Sequence, residues 1–324
     1  QEEAQAQRGH RRGGAHRQAV GPFRRADDLV GHTAVFVVVA CGTFPARPSH
    51  IPFDDHSIID TDGLLTLKTL PKSITIIGGG VIGAEYASIL ATMGIHVTLI
   101  ERRPRLLEFV DQETIEALQY HMRSIGVTLR FNEEVVSVER QPQEQVIVRL
   151  KSGKEIAATT VLYSVGRTGA SATLNLEAIG LAADDRGRLK VNEHYQTTVP
   201  HIYAAGDIIG FPALASTSMQ QGRHAACHAF GIPCQTQSEL MPYGIYSIPE
   251  ISMVGRNEDD LTKNGVPYAV GIARYREIAR GQIIGDELGM LKLLFHNKTR
   301  QLLGVHAIGD GATELIHIGQ TVMA

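Results

Sequence analysis

The chain has 324 residues and a hydrophobic content of 43%, which is enough to bury a large core and suggests about two domains. A formal net charge of −3 argues against a nucleic-acid partner, and no stretch approaches the ~18 apolar residues of a membrane helix. The three cysteines, Cys41, Cys227 and Cys234, are too few and too scattered for a disulfide framework, so the composition predicts a soluble cytoplasmic protein.

Residues 1–31 differ in composition from the rest of the chain. They are rich in Gln, Ala, Gly, His and Arg and have neither helical nor strand periodicity, which predicts disorder or a divergent N-terminus. An RNA-binding arm is the alternative, but acidic residues such as Glu2 and Asp27 dilute the positive charge. The chain begins with Gln rather than Met, which suggests a fragment, a processed product or a misplaced start.

Ordered structure is predicted to begin with a buried strand at Thr33–Ala40 that runs into Cys41–Pro48, and a proline-punctuated linker then follows to Pro71. A second strand, Ile74–Ile77, leads directly into a glycine-rich turn and then into a helix at Val81–Met93. A third strand follows at His96–Ile100 and ends in Glu101.

The turn after Ile77 has the spacing of a dinucleotide fingerprint. Gly78 permits the tight turn, Gly80 lets the backbone approach a pyrophosphate, and Gly83 lets the helix pack closely on the strand. The phosphates would lie at the helix N-terminus, where free N–H groups favour negative charge. Glu101 stands about 20 residues further on, where a carboxylate accepts hydrogen bonds from an adenosine ribose. The setting of strand, glycines, helix, strand and acid predicts an NAD(P) site.

The remaining elements indicate a β-rich insertion, a return to the first domain and a final α+β domain. They comprise a helix at Asp111–Ile125, strands at Val127–Phe131, Glu134–Glu139, Val146–Lys151 and Ile156–Ser164, a helix at Leu214–Phe230, strands at Gly289–Phe295 and Gln301–Ile308, and a helix from Ala312. Ser152 and Gly153 form the turn of a predicted hairpin.

Four motifs together resemble the two-dinucleotide flavoprotein oxidoreductases, the family of dihydrolipoyl dehydrogenase and glutathione reductase. They are Ala40–Gly42, the Gly78–Glu85 fingerprint, Gly166-Arg167, and Thr197 with Ala205–Asp207. The resemblance covers about residues 33–324 and implies an α/β fold of Rossmann-like FAD- and NAD(P)-binding domains with an α+β dimerisation domain. It implies an FAD-domain remnant and linker (32–70), an NAD(P) domain (71–190), a returning FAD segment (191–239) and a truncated interface domain (240–324).

Within this family the chain is most similar to the soluble pyridine nucleotide transhydrogenases. Three stretches carry this similarity: Tyr163–Gly169, Gly244–Ser252 and Glu314–Gln320. The first is the sharpest, because disulfide reductases usually follow Gly-Arg with Pro-Asn, whereas this chain has Thr168 and Gly169.

The fingerprint and the resemblance together predict the residues of the NAD(P) site. These are Gly78, Gly79, Gly80, Val81, Ile82, Gly83, Glu85, Glu101, Arg102, Arg103, Val135 and Gly166. Glu101 disfavours a 2′-phosphate, whereas Arg102, Arg103 and Arg105 could bind one, as a site that accepts both NAD and NADP requires. The arginines could equally form a solvated face, Glu85 a surface acid and Val135 ordinary strand packing.

The resemblance likewise implies an FAD site at the end of the returning segment. Its predicted residues are Cys41, Gly42, Gly206, Asp207, Leu214 and Ala215. Asp207 would accept hydrogen bonds from the ribityl hydroxyls, although a carboxylate there could also cap a turn. The helix that begins near Leu214 would direct its positive end at the flavin. Cys41 is interpreted as a small buried hydrophobe rather than a redox group.

One cluster of histidines and cysteines could be mistaken for a metal site, although its residue spacing is not that of a metal site. His224, Cys227, His228 and Cys234 lie on and after a helix, but they contain no C-x-x-C pair, so we predict no metal.

The resemblance implies an Si-specific NAD(P)⁺ transhydrogenase that transfers hydride between NADPH and NAD⁺ through FAD. No catalytic side chain is predicted, because the flavin carries the chemistry. The intact protein would be a homodimer or larger homo-oligomer, and this chain, which lacks an upstream FAD fingerprint, is predicted to be an inactive fragment. A dihydrolipoyl dehydrogenase-like disulfide reductase is one alternative, and a truncated nucleotide-binding protein without catalysis is another.

Overall fold

The computed structural model describes residues 35–143, 145–234 and 240–324. The predicted disorder of residues 1–31 lies outside this part of the chain. The helices are α1 (Thr61–Leu64), α2 (Val81–Thr92), α3 (Gln112–Ser124), α4 (Ala215–Ala229), α5 (Glu258–Lys263), α6 (Ala279–Ile284) and α7 (Ala312–Met323). The strands are β1 (Val37–Val39), β2 (Thr43–Pro45), β3 (Ile58–Ile59), β4 (Ser73–Ile77), β5 (His96–Glu101), β6 (Thr128–Phe131), β7 (Val135–Gln141), β8 (Gln145–Leu150), β9 (Glu155–Ala158), β10 (Thr160–Tyr163), β11 (Arg167–Gly169), β12 (Ile202–Ala204), β13 (Tyr243–Ile245), β14 (Ile251–Gly255), β15 (Tyr268–Arg274), β16 (Met290–His296) and β17 (Leu302–Ile308).

A five-stranded, all-parallel sheet in the order β3-β10-β4-β5-β6 forms the centre of the first half. Its apolar strands are covered by α2 and α3, and side chains such as Ile76, Leu99 and Leu118 are fully buried in the shared core. Strands buried on both faces require near-continuous apolar runs, which is why β4 and β5 could be predicted from the sequence. The helices predicted at Val81–Met93 and Asp111–Ile125 are confirmed to within one residue.

The predicted linker before Pro71 is wrong in one stretch, because it contains β3 and α1. Asp54 Oδ1 accepts hydrogen bonds from the backbone N–H groups of Ser57 and Ile58, at 2.7 and 2.8 Å, and this turn leads the chain into β3. Asp60 then caps α1 by accepting from Gly63 N at 2.9 Å. These short polar turns bring β3 alongside β10 and extend the parallel sheet.

The single strand predicted at Ile156–Ser164 is also wrong, since it divides at Thr159 into two strands of different sheets. β9 pairs antiparallel with β8 in the three-stranded β7-β8-β9 meander, whereas β10 pairs in parallel with β4. Thr159 donates its backbone N–H to Ser73 Oγ at 3.0 Å and its hydroxyl to the Ser73 carbonyl at 2.7 Å. These two bonds hold the chain where it passes from one sheet to the other.

The last part of the chain is the predicted α+β unit. Its antiparallel sheet has the order β13-β14-β17-β16-β15, and α7 packs through Ile316 against Val254 and Val305. A smaller parallel pair, β1 with β12, brings residues 37–39 beside 202–204. Within the described ranges no helix combines the length and the apolarity needed to cross a bilayer.

Candidate functional site

The glycine-rich turn between β4 and α2 has the geometry that the sequence predicted. Gly78 has a φ of +105° and donates its N–H to the Ile100 carbonyl at 2.9 Å. A Cβ on Gly83 would lie 1.9 Å from the Gly78 carbonyl oxygen, so only glycine permits this approach of helix to turn. Gly80, the N-cap of α2, has open space around its Cα and no side-chain cap. The first N–H groups of α2 are therefore available to an anion.

A cavity of about 700 Å³, here called the nucleotide cavity, opens beside this turn. It brings together seven of the predicted residues: Gly78, Gly80, Glu101, Arg102, Arg103, Val135 and Gly166. Its other walls include His50, Glu133, Tyr163 and Arg186, none of which the motifs predicted. Five predicted residues do not line it: Gly79, Val81, Ile82, Gly83 and Glu85.

Glu101 is held tightly at the end of β5 and is 6% exposed. Its Oε2 accepts from Gly79 N at 2.6 Å, and its Oε1 accepts from Arg103 N at 2.9 Å. The Arg103 guanidinium adds one hydrogen bond to each carboxylate oxygen, both at 3.0 Å. Burial alone would raise the pKa of Glu101, but these hydrogen bonds and the positive charge outweigh it and lower the pKa. Glu101 is thus a fixed carboxylate on the cavity rim.

The three arginines after Glu101 separate into two groups. Arg102 is exposed on the cavity, and Arg103 is half-exposed against Glu101. Arg105 instead binds the Glu108 carbonyl at 3.1 Å and the carboxylate of Asp259 at 2.9 Å. Arg105 does not line the cavity, and its guanidinium pairs with an acid of the antiparallel part, so its binding of a 2′-phosphate stays a prediction.

Glu85 lies on the second turn of α2 and contacts the antiparallel part. Its Oε1 accepts from Tyr246 N at 2.9 Å, and one turn further along Ser88 Oγ accepts from Ile248 N at 2.9 Å. Burial raises the pKa of Glu85, and the single hydrogen bond from Tyr246 N only partly opposes that rise. The helix that begins at the nucleotide cavity is therefore bonded to the segment that follows β13.

We expect Glu85→Gln to stabilise the protein at neutral pH. A raised pKa means that the folded state disfavours the charged carboxylate, so stability is lost as pH rises through the folded-state pKa. The amide keeps an acceptor for Tyr246 N without a charge, and Tm should rise by about 1–2 °C at pH ~7. The gain should vanish below pH ~4, where Glu85 is protonated in both states. Thermal melts at both pH values test this, and a gain that persists at low pH would contradict it.

A second polar cluster, here called the Asp207 cluster, lies at the end of β12. The Thr43 hydroxyl donates to Asp207 Oδ2 at 3.2 Å, and the Arg167 guanidinium donates to Thr43 Oγ1 at 2.7 Å and to its carbonyl at 2.8 Å. Gly206 N donates to Gln221 Oε1 of α4 at 2.7 Å. The motifs predicted Asp207 and Gly206 but gave no site role to Thr43 or Gln221.

The other residues predicted for this site surround the Asp207 cluster. Gly42 has a φ of +72° and immediately precedes Thr43 in β2. Cys41 packs against the apolar cluster of Ile202 and Ala204, and burial raises the pKa of its thiol. Leu214 is the N-cap of α4 without a side-chain cap, so the N–H groups from Ala215 onward are available to a ligand.

Three aromatic rings, here called the aromatic triad, pack against one another, and the sequence did not predict them. Tyr243 stacks on Phe211 with centroids 6.1 Å apart, and its ring meets the edge of Phe109 at 5.4 Å. Burial raises the pKa of Tyr243, and the carboxylates of Glu85 and Asp207 raise it further. Tyr243 therefore lies within electrostatic reach of both candidate sites. An aromatic residue just before Gly244 was the only sequence signal.

Sequence profiles identify the class of protein to which this arrangement belongs. Residues 25–222 match the pyridine nucleotide-disulphide oxidoreductase profile, and residues 241–324 match the dimerisation domain of the same family. The chain belongs to the pyridine nucleotide-disulphide oxidoreductase family, and the predicted fold class is confirmed.

Individual relatives point to a narrower group and confirm the resemblance predicted from the sequence. The chain is 54% identical over 291 residues to a soluble pyridine nucleotide transhydrogenase of Mycobacterium bovis (strain BCG / Pasteur 1173P2). It is 49% identical over 292 residues to one of Klebsiella pneumoniae subsp. pneumoniae. These alignments cover 90% of this chain but only 62% of each relative.

Solved structures of the same fold include LpdA from Mycobacterium tuberculosis, with a TM-score of 0.84 and 27% identity over 90% of this chain and 64% of that one. The HOCl-induced flavoprotein disulfide reductase RclA from Escherichia coli has a TM-score of 0.82 and 29% identity, covering 89% of this chain and 66% of that one.

Proposed function

We propose that the complete protein is an FAD-dependent transhydrogenase that transfers hydride between NADPH and NAD⁺, with both nucleotides using the nucleotide cavity in turn. The observation that carries this proposal is the pairing of Glu101 with Arg103 on the rim of that one cavity. A carboxylate there suits the ribose hydroxyls of NAD, and an adjacent half-exposed guanidinium suits the 2′-phosphate of NADP. The similarity to relatives named as soluble pyridine nucleotide transhydrogenases supports the same activity.

The residues around the nucleotide cavity fit a dinucleotide. The open space at Gly80 and the uncapped start of α2 suit the pyrophosphate, and the cavity leads from there to Glu101. In this proposal Gly79, Val81, Ile82 and Gly83 shape the turn, while Glu85 stands toward the nicotinamide end. Val135 and Gly166 form walls of the cavity.

The Asp207 cluster fits the polar part of a flavin cofactor. When bound, FAD supplies the capacity to accept a hydride from one nicotinamide and return it to another. Asp207, oriented by Thr43 and Arg167, would accept from ribityl hydroxyls, and Cys41, Gly42 and Gly206 would border the cofactor. Leu214 and Ala215 would direct the N-terminus of α4 at the anionic edge of the ring system. No protein nucleophile or metal is required.

We expect Arg103→Ala to reduce selectivity for NADP rather than overall activity. The guanidinium would lose its contact with the 2′-phosphate, and a charge-assisted hydrogen bond of about 1.5–3 kcal/mol corresponds to roughly 10–100-fold weaker NADPH binding. NADH binding should change much less, since Glu101 stays fixed by the 2.6 Å bond from Gly79 N. Titration with each nucleotide tests this.

Arg256→Ala is the matched control for that titration, because Arg256 is an exposed arginine remote from the nucleotide cavity. Equal losses of NADH and NADPH affinity in the Arg103 variant would contradict a role in selectivity.

A disulfide reductase is the second candidate, because the solved structures with this fold include a flavoprotein disulfide reductase. Against it stand Thr168 and Gly169, in β11, where disulfide reductases usually have Pro-Asn. The two functions differ in whether a pair of cysteines four residues apart lies upstream of Cys41 in the complete protein.

The match to a dimerisation domain supports a homodimer or larger homo-oligomer. The exposed side of α7 includes the apolar residues Ile318 and Val322, 65% and 68% exposed, as expected for a surface that a second subunit covers. We propose that the protein is cytoplasmic. The domain boundaries at 32–70, 71–190, 191–239 and 240–324 remain predictions.

The proposed activity is tested with the complete protein supplied with FAD. Hydride transfer from NADPH to an NAD⁺ analogue with a distinguishable reduced spectrum is followed with and without lipoamide. Fast transfer that is indifferent to lipoamide is expected. Slow transfer with rapid lipoamide-dependent turnover would favour the reductase, and a colourless protein that binds NAD without turnover would favour a non-catalytic nucleotide-binding protein.

A further inference from the structure

Lys292 of β16 is a fully buried lysine whose side chain has 0% exposure. Three carboxylates surround its ammonium: Asp111 Oδ1 at 2.9 Å, Glu113 Oε2 at 2.7 Å, and Glu258. Burial by itself would lower the pKa of Lys292, but these partners raise it above its usual value, so the ammonium stays charged. A buried cation persists only with such partners, and these come from two different parts of the fold.

The carboxylates join the parallel-sheet half to the antiparallel part. Asp111 and Glu113 stand at the start of α3, whereas Glu258 begins α5. Asp111 also ends the segment 102–111, which starts beside Glu101 at the nucleotide cavity. The Lys292 cluster, defined as Lys292 with these three acids, therefore holds the far end of that segment.

Two further contacts attach segment 102–111 to the start of α5. Asn257 Nδ2 donates to the Phe109 carbonyl at 3.2 Å, and Arg105 pairs with Asp259 at 2.9 Å. Phe109 is therefore fixed on both sides, by Arg105 before it and Asp111 after it. Its ring packs edge-on against Tyr243 and Phe211, the other members of the aromatic triad.

We propose that Lys292 is a positioning residue for hydride transfer. By gathering Asp111, Glu113 and Glu258 around its ammonium, it fixes Phe109 against Tyr243 of β13. That strand leads directly to Tyr246, whose N–H binds Glu85 on the helix that begins at the nucleotide cavity. The inference rests on the proposed function in assuming that both sites are used together. Lys292 does not line the nucleotide cavity, so its effect is on geometry rather than on nucleotide contacts.

The groups around Lys292 show what its removal would leave in the site. His306 of β17 pairs with Lys292 of β16, its Nε2–H donates to the Arg256 carbonyl at 3.0 Å, and burial lowers its pKa. The Tyr268 hydroxyl donates to Glu258 Oε2 at 2.9 Å. Without Lys292, three carboxylates and no cation would share the site, and their charges would repel one another.

The test compares Lys292→Met with Lys263→Met, an exposed lysine of α5, in the complete FAD-loaded protein. Single-turnover reduction of the flavin by NADPH and NADPH affinity are measured separately. Lys292→Met should slow reduction by roughly 10–100-fold, as misplacement by about 1 Å can, while affinity changes less than about twofold.

Asp111→Asn is a milder variant, since Lys292 keeps Glu113 and Glu258. It should fold and slow reduction by roughly threefold or more, also without a loss of affinity. Unchanged reduction in folded Lys292→Met or in Asp111→Asn, or a loss of affinity equal to the loss of rate, would overturn the positioning role. Flavin reduction is common to transhydrogenases and disulfide reductases, so this result is independent of the final acceptor. A wild-type flavin that NADPH does not reduce would instead contradict the proposed function.

Discussion

Gly83→Ala should weaken the binding of NADH and NADPH by roughly 5–150-fold and lower Tm. The new Cβ would lie 1.9 Å from the Gly78 carbonyl oxygen and 3.0 Å from Ser164 Oγ. The carbonyl cannot move freely, because Ser164 Oγ donates to it at 3.1 Å. Overpacking of this kind costs about 1–3 kcal/mol, and here it must displace the turn at the proposed pyrophosphate site. Nucleotide titration and thermal melts measure both effects.

Gly222→Ala provides the control for that substitution. Gly222 is also a helical glycine, in α4, and a Cβ there meets no atom within 4 Å. Alanine is the better helix former by about 1 kcal/mol, so Tm should stay the same or rise. Wild-type nucleotide affinity in Gly83→Ala would show that the turn does not carry the pyrophosphate.

Asp207→Ala should deprive the complete protein of most of its flavin. The carboxylate is aimed by the Thr43 hydroxyl at 3.2 Å, and a hydrogen bond to a charged group contributes about 1.5–3 kcal/mol, which is roughly 10–100-fold in flavin affinity. NADH binding in the nucleotide cavity should persist, because Asp207 does not line that cavity. The bound flavin per protein after gel filtration, together with an NADH titration, measures the two effects separately.

Asp185→Ala is the control for the flavin measurement, since Asp185 is an exposed aspartate outside the Asp207 cluster. Full flavin content in the Asp207 variant would remove this carboxylate from the cofactor site. Loss of both flavin and NADH binding would point to a folding defect instead.

The nucleotide cavity could be predicted from the sequence because its signals are local. Gly78, Gly80 and Gly83 lie within one turn and the start of one helix, and Glu101 ends the next strand, so spacing alone places them. The division of the predicted strand Ile156–Ser164 has a non-local cause. Ser73, 86 residues away, bonds to Thr159, and nothing in the sequence around Thr159 shows that this bond divides the strand.

The Asp207 cluster, the aromatic triad and the Lys292 cluster depend on contacts between distant segments. Thr43 and Asp207 are separated by 164 residues, and Asp111 and Lys292 by 181. Side chains so far apart meet only because the sheets pack in one particular way, and neither periodicity nor a motif encodes that packing. For the same reason the sequence does not show that Arg105 pairs with Asp259, which lies 154 residues further along the chain.

The central claim is that one cavity serves both nucleotides in turn, and initial-rate kinetics of the complete protein test it most directly. NADPH and the NAD⁺ analogue are varied together, and each is also tried as an inhibitor at high concentration. A shared site used in sequence predicts parallel double-reciprocal lines, with each nucleotide competing against the other. Intersecting lines without such competition would mean that both nucleotides bind at once, and they would contradict the account.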